Sequence, residues 1–254
     1  MSLKRTSAVV LKIMDHGESD KIVVFYCPAL GKLTGIAKGA KRSKKRFVNK
    51  LEIFSWLEIG YDDRGRGTLV QIAEADLLDH FITLRQHYDR YVAATLICEI
   101  MVCWTRENDA DQELFDLLTW AFQQLNCGHH PPQLAVLFQV RLFDILGFRP
   151  QLAGCLKCGR FEPAAAPYGF SLGQHGLLCA SCHSQPAAGL LPLSLSTVKL
   201  LANALALPRG KLDRLRFSAA SLQEARAMLR HYGQYILQRE IHSWNYLPAH
   251  AQSR

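Results

Sequence analysis

Four cysteines stand as two short pairs, Cys155-Leu156-Lys157-Cys158 and Cys179-Ala180-Ser181-Cys182, with 20 residues between them. A C-x2-C segment forms a tight turn that aims two sulfurs at one centre, and two such turns complete a tetrahedron of thiolates. Gly159 after the first pair eases that turn. The chemistry is metal binding by Cys155, Cys158, Cys179 and Cys182, with zinc as the expected ion. Thiolate in all four positions leaves none for water or substrate, so the zinc is expected to be structural. A charge of +2 on the metal set against four thiolates leaves the site anionic, and only Lys157 and Arg160 flank it to offset this. A disulfide pairing needs an oxidising compartment that nothing here suggests. The string Cys179-Ala-Ser-Cys182-His183 matches haem attachment in spacing, but the upstream pair already accounts for it. Cys27, Cys98, Cys103 and Cys127 have no partner spacing and read as core thiols.

A second set of residues points to electrostatic chemistry. Lys38, Lys41, Arg42, Lys44, Lys45, Arg46 and Lys50 fall within 13 residues that contain no acid. Like charges so close repel one another, which makes a polyanion their natural partner. Residues 1–80 hold 14 Lys+Arg against 10 Asp+Glu and residues 200–254 hold 8 against 3, whereas residues 81–199 hold 8 against 9. The net charge of +8 is therefore concentrated at the two ends. Arg226 and Arg230, four residues apart on an expected helix, form a basic edge beside Leu229 and Leu237.

Catalytic constellations are missing. Gly31-Lys32-Leu33-Thr34 lacks the upstream glycine of a phosphate loop and separates Lys from Thr. No H-E-x-x-H occurs, and neither cysteine pair follows a proline as a zinc deaminase requires. The expectation is a protein that is not an enzyme.

The elements that must hold these residues divide by period. Ala8–Ile13, Lys21–Cys27, Lys32–Ala37, Leu51–Tyr61 and Leu69–Ala75 are short runs rich in Val, Ile, Phe and Tyr, separated by turn residues, the last turn lying at residues 62–67. Five short strands with one long basic loop after the third suit a small closed barrel, either of the OB type or SH3-like. From about His80 the spacing turns helical, with a break near Asn108-Asp109, a second helix over Asp111–Leu125 capped by Asp109 or Asp111, and a stop at Cys127–Pro132. A third helix over Gln133–Leu146 ends at Gly147. Helical spacing returns at Ser194–Leu207 and again from Ser218 to Tyr246. The expected domains are a barrel over 1–79, helices over 80–150, a four-Cys finger over 151–192 and further helices over 193–254. With 49% hydrophobic residues wholesale disorder is excluded, and no apolar run reaches the length of a membrane span or a signal peptide, so a cytoplasmic protein is expected.

This order of parts, together with Ala8-Val-Val-Leu-Lys12, Gly17-Glu-Ser-Asp-Lys-Ile22, Leu30-Gly-Lys32, Ala37-Lys-Gly-Ala-Lys-Arg42 and Leu51-Glu-Ile-Phe54, resembles the bacterial RecO family of DNA repair and recombination proteins. The tail from Arg226 to Trp244 is similar to the family's last helix. His175-Gly176 departs from it where two glycines are common. The resemblance implies a multi-domain α+β chain: an N-terminal five-stranded OB-fold β-barrel, then an α-helical domain with an inserted four-Cys zinc finger. It implies a recombination mediator on the bacterial nucleoid that binds single- and double-stranded DNA and anneals complementary strands. Such proteins act with RecR and contact the C-terminal tail of single-strand binding protein so that RecA can replace it.

On the residues themselves, Lys38, Lys41, Arg42, Lys44, Lys45 and Arg46 are expected to track phosphates, with Phe25, Tyr26, Phe47 and Tyr61 as candidates for base stacking. Most aromatics in so small a barrel belong to its core. Arg226 and Arg230 are candidate contacts for the acidic tail of single-strand binding protein. The competing class is a sequence-tolerant zinc-finger nucleic-acid-binding protein of transcription or translation.

Overall fold

The computed structural model describes residues 3–62, 69–161, 168–182 and 190–248, and the expected turn at 62–67 falls almost wholly outside them. The chain forms two compact units, Met1–Cys127 and Gly128–Arg254.

The first unit begins with a closed five-stranded barrel. Its strands are β1 (Lys4–His16), β2 (Asp20–Cys27), β3 (Gly31–Ala37), β4 (Trp56–Asp62) and β5 (Val70–Asp79). Their order around the barrel is β1-β2-β3-β5-β4. Strand β1 is long enough to serve two partners: Lys4–Val9 pairs with β4 and Val9–His16 with β2, the strand bending at a register shift between Val10 and Lys12. Closure is a short parallel pairing of Gly35 with Val70 and Ile36 with Gln71. A Cβ on Gly35 would lie 2.7 Å from the Ile72 side chain, so the close approach of β5 requires glycine there. This is the OB-fold arrangement, and it decides between the two barrel types. Val10, Val23, Phe25, Leu33, Leu57, Ile59 and Ile72 fill the interior at alternate positions.

The expected strand over Leu51–Tyr61 begins only at Trp56. Residues 51–55 turn instead, with Phe54 at φ 72°. Their apolar character reflects a different duty: Leu51 plugs the barrel with Ala40 and Phe47. Phe54 stacks edge-on against Tyr91 and Phe122.

Three helices follow, α1 (Thr83–Gln86), α2 (Tyr88–Trp104) and α3 (Gln112–Asn126). Asp111 is the cap of α3, its carboxylate accepting from the N–H groups of Glu113 and Leu114. Trp56, Phe81, Phe115 and Phe122 join these helices to the barrel.

The second unit is built on α4 (Pro131–Ile145), against which α5 (Leu195–Ala206) and α6 (Ala219–Leu237) pack. The Pro131-Pro132 pair, read above as a stop, opens α4, because a first-turn residue needs no N–H. The last helix ends early: Gln238 adopts φ 51° at the end of α6, and only a 3₁₀ turn, His242–Asn245, follows. Between α4 and α5 lies a three-stranded sheet ordered β7-β6-β8, of β6 (Tyr168–Ser171), β7 (Gly176–Cys179) and β8 (Leu190–Leu193). Among the described residues no helix is long and apolar enough to cross a membrane.

Candidate metal centre and basic loop

The two cysteine turns meet. The four Sγ atoms of Cys155, Cys158, Cys179 and Cys182 lie within 4.8 Å of one another, and Cys158 and Cys179 are 3.7 Å apart. A tetrahedral site with metal–sulfur bonds of about 2.3 Å has edges of about 3.8 Å, so the donor set and its spacing fit a metal ion. Local structure explains the convergence. Gly159 turns at φ 70° and its N–H donates to the Cys155 carbonyl at 2.8 Å, closing the first turn. The Cys182 N–H closes the second on Cys179 at 3.1 Å, and Lys157 Nζ bridges to the Cys182 carbonyl at 3.0 Å.

Burial works against the Cys155 thiolate, but backbone N–H groups of Cys179, Cys158 and Lys157 outweigh it and hold its pKa low, at about 6. Cys182 donates to its neighbours Cys158 and Cys179 and is pushed up to about 12. A bound cation would displace the thiol protons that remain, because the ligand to a metal is the thiolate.

One turn of the finger is fastened to α6 of its own unit. His175 occupies the left-handed region at φ 58°, a conformation glycine would take more easily. Its Nδ1 lies 3.1 Å from the Tyr232 hydroxyl, which donates to the Phe148 carbonyl at 3.2 Å. Since that hydroxyl proton is used on Phe148, His175 Nδ1 must be the donor in the pair. The Tyr232 ring also meets Phe143 of α4 and Phe170 of β6 edge-on. A side chain that the fold uses thus stands at this left-handed position.

The basic segment leaves β3 at the end of the barrel that carries the β1–β2 turn, because Lys21 pairs with Ala37. Its backbone is held: Lys41 N–H donates to the Ser19 carbonyl at 2.9 Å, and Gly39 N–H to the Asp20 carboxylate at 2.8 Å. That bond and one from the Ser19 hydroxyl keep the Asp20 pKa low. Ala40 and Phe47 are buried, while Lys38, Lys41, Arg42, Lys44, Lys45 and Arg46 are all exposed.

The six cations are not equivalent. Lys41 pairs with Asp15 at 3.1 Å and Arg42 with Glu18 at 3.5 Å. Arg46 lies over the Phe47 ring at 5.1 Å and donates to the Ala73 and Lys38 carbonyls. Lys44 and Lys45 have no hydrogen bond or ion pair among the described residues. Lys50 turns away to the Ala75 carbonyl at 2.6 Å and to Asp76. The acids Asp15 and Glu18 were not apparent as partners in the sequence, since only the β1–β2 register brings them across.

Elsewhere the barrel surface carries both signs of charge. Glu58, Glu74 and Asp76 surround Arg5 on β1, β4 and β5. At the far end of β2 and β3, the segment 105–111 is tied down by Asn108 N–H to the Lys32 carbonyl at 3.0 Å and by Thr34 to Glu107 at 3.0 Å. The dense run of cations thus lies at one end of the barrel, with Asp15 and Glu18 beside it. Phe25, Tyr26, Phe47 and Tyr61 are all buried, which places these four rings in packing rather than at an open surface. Of the single cysteines Cys27 and Cys98 are buried as expected, whereas Cys127 at the end of α3 is exposed.

Arg226 and Arg230 are taken up by their own chain. Arg226 donates to the Pro248 carbonyl at 2.9 Å and the Leu247 carbonyl at 2.7 Å, with its guanidinium over Trp244. Arg230 reaches Glu240 at 2.8 Å and Asn245 at 2.7 Å. Both clamp the segment 240–248 onto α6.

Two family models match the chain, "Recombination protein O N terminal" over residues 1–81 and "Recombination protein O C terminal" over residues 85–245. A protein named DNA repair protein RecO from Syntrophobacter fumaroxidans is 38% identical over 217 residues, covering 85% of this chain and 86% of that protein. Another of that name from Syntrophus aciditrophicus is 32% identical over 240 residues, covering 94% and 93%.

Proposed function

Because the chain belongs to the recombination protein O family and so serves DNA repair and recombination, we propose that it is a mediator which binds single- and double-stranded DNA and anneals complementary strands. The observation that supports this most is the exposed, backbone-anchored run of Lys38, Lys41, Arg42, Lys44, Lys45 and Arg46 at one end of the barrel. Cations held on a fixed backbone lose little freedom on meeting phosphates, and they carry no base-edge code, so binding is sequence-tolerant. Annealing follows from the same charges: screening two phosphate backbones lowers their repulsion and leaves base edges free to pair.

Zinc is the proposed ion of the Cys155, Cys158, Cys179 and Cys182 site, where it would cross-link the finger and complete its fold. Action with RecR, and exchange of single-strand binding protein for RecA, are proposed from family membership. Docking of the acidic tail of single-strand binding protein on Arg226 and Arg230 would require displacing residues 240–248 from them. Unchanged tail-peptide affinity in an R226A/R230A variant would remove that contact.

The test of DNA binding is fluorescence anisotropy with labelled single strands of unrelated sequence. Similar affinities that fall together when Lys41, Arg42, Lys44 and Lys45 are changed to Gln support the proposal. Tight binding to one duplex sequence with a sharp footprint contradicts it.

A further inference from the structure

The second unit carries another run of cations. Arg209, Lys211, Arg214 and Arg216 fall within eight residues that contain one acid, Asp213. The segment consists of a 3₁₀ helix, Arg209–Arg214, followed by extended backbone at Leu215. Residues three apart in a 3₁₀ helix share a face, and residues two apart share a face in extended chain. The burial pattern follows this geometry: Lys211, Arg214 and Arg216 are exposed, whereas Leu212 between them is fully buried. Lys211 and Arg214 are separated by about 6 Å along the helix axis, close to the step between neighbouring phosphates of an extended strand.

The segment is fixed at both ends by polar side chains from α4. Before it, Arg141 donates to the Leu205 and Leu207 carbonyls at 2.9 and 3.4 Å, where α5 ends. After it, the Gln133 amide donates to the Leu215 carbonyl at 2.8 Å and accepts from the Phe217 N–H at 3.3 Å. The Arg216 guanidinium is steadied on the Asp213 and Leu215 carbonyls. The side chains of Lys211 and Arg214 have no hydrogen bond or ion pair among the described residues. Like charges held close on a rigid backbone repel, and an anion with regularly spaced charges relieves that repulsion. An acidic, hydrophobic peptide would also need an apolar pocket here, but the segment's central apolar side chain, Leu212, points inward and is buried.

We infer that Lys211, Arg214 and Arg216 form a second phosphate-binding surface for nucleic acid, separate from the barrel loop. It rests on the proposal that the protein binds DNA, and it supplies what annealing asks for beyond one strand, a second backbone contact on the same molecule.

The test is anisotropy titration of labelled oligothymidylate across a salt series, using the full-length protein. The variants are a loop-neutralised protein (Lys38, Lys41, Lys44, Lys45→Gln with Arg42, Arg46→Gln), K211Q/R214Q/R216Q, and both together. Three contacts on a single strand carry a slope of about 2 in log K against log salt. The K211Q/R214Q/R216Q protein should therefore lose about 20-fold less affinity than wild type between 50 and 200 mM salt. The loop-neutralised protein should keep salt-sensitive binding that disappears when the three further changes are added. A charge-preserving K211R/R214K/R216K protein should bind as wild type does, which separates charge from folding. If the loop-neutralised protein already binds nothing, the second surface is refuted while the barrel proposal stands. If wild type binds no DNA, the barrel proposal itself fails. If K211Q/R214Q/R216Q weakens only the capture of an acidic tail peptide, the surface takes peptide and the inference is overturned.

Discussion

Asp15 and Glu18 should compete with DNA for two of the six loop cations. Both are highly exposed, with side chains 71% and 92% accessible, and they sit 3.1 and 3.5 Å from Lys41 and Arg42. When those two cations turn to phosphate they exchange one anion for another, so they add little to the counterions DNA releases. Four cations then count in the wild type and six in a D15N/E18Q protein. At about 0.7 per phosphate on single strands, the loop's share of the slope of log K against log salt becomes about −2.8 and −4.2. Taking the electrostatic part of log K as zero near 1 M salt, the variant binds about 60-fold tighter at 50 mM and about 10-fold tighter at 200 mM. Exposed ion pairs stabilise little, so the melting temperature should stay where it was. The assay is anisotropy of a labelled oligothymidylate at four salt concentrations. Equal slopes in the two proteins would show that Lys41 and Arg42 do not meet phosphate, and the loop assignment would fall with them.

Other outcomes follow from the same geometry. Changing Cys179 to Ser should abolish the proposed zinc binding, read as loss of stoichiometric metal by atomic absorption, and the proposed zinc should leave wild type as pH falls because protons compete for the thiolates. Gly31→Ala places a methyl group 2.0 Å from the Asp109 carbonyl at a φ of +68°, and should cost about 2–4 kcal/mol in urea unfolding as segment 105–111 is forced off β3. Tyr232→Phe removes the hydroxyl shared by His175 and Phe148, and should cost about 1–2 kcal/mol without loss of zinc. A loss of metal in that variant would mean that the turn at His175 helps shape the thiolate site.

The parts legible in the sequence are those whose signal is local. Each C-x2-C turn carries its own geometry, so the pairing of Cys155 and Cys158 with Cys179 and Cys182 could be read from spacing. The barrel strands show through their alternation, and Asp111 through its place before an apolar run. Long-range features were hidden. Leu51 and Phe54 look like strand residues because burial selects the same side chains for a plug as for a strand. The 3₁₀ turn at His242–Asn245 keeps enough apolar spacing to pass for helix, although α6 has already ended at Gln238. Arg226 and Arg230 read as a free basic edge, and only the return of residues 240–248 across α6 shows them engaged. The pairing of Lys41 and Arg42 with Asp15 and Glu18 likewise depends on a turn more than 20 residues away.

The most direct measurement is the rate of annealing of two complementary labelled oligonucleotides, one coated with single-strand binding protein, with wild type and with Lys41, Arg42, Lys44 and Lys45 changed to Gln. Annealing by wild type that is lost in the variant at low salt is the expected result. Annealing that proceeds equally in both, or tight DNA binding with no annealing by wild type, would contradict a mediator that works through the barrel loop.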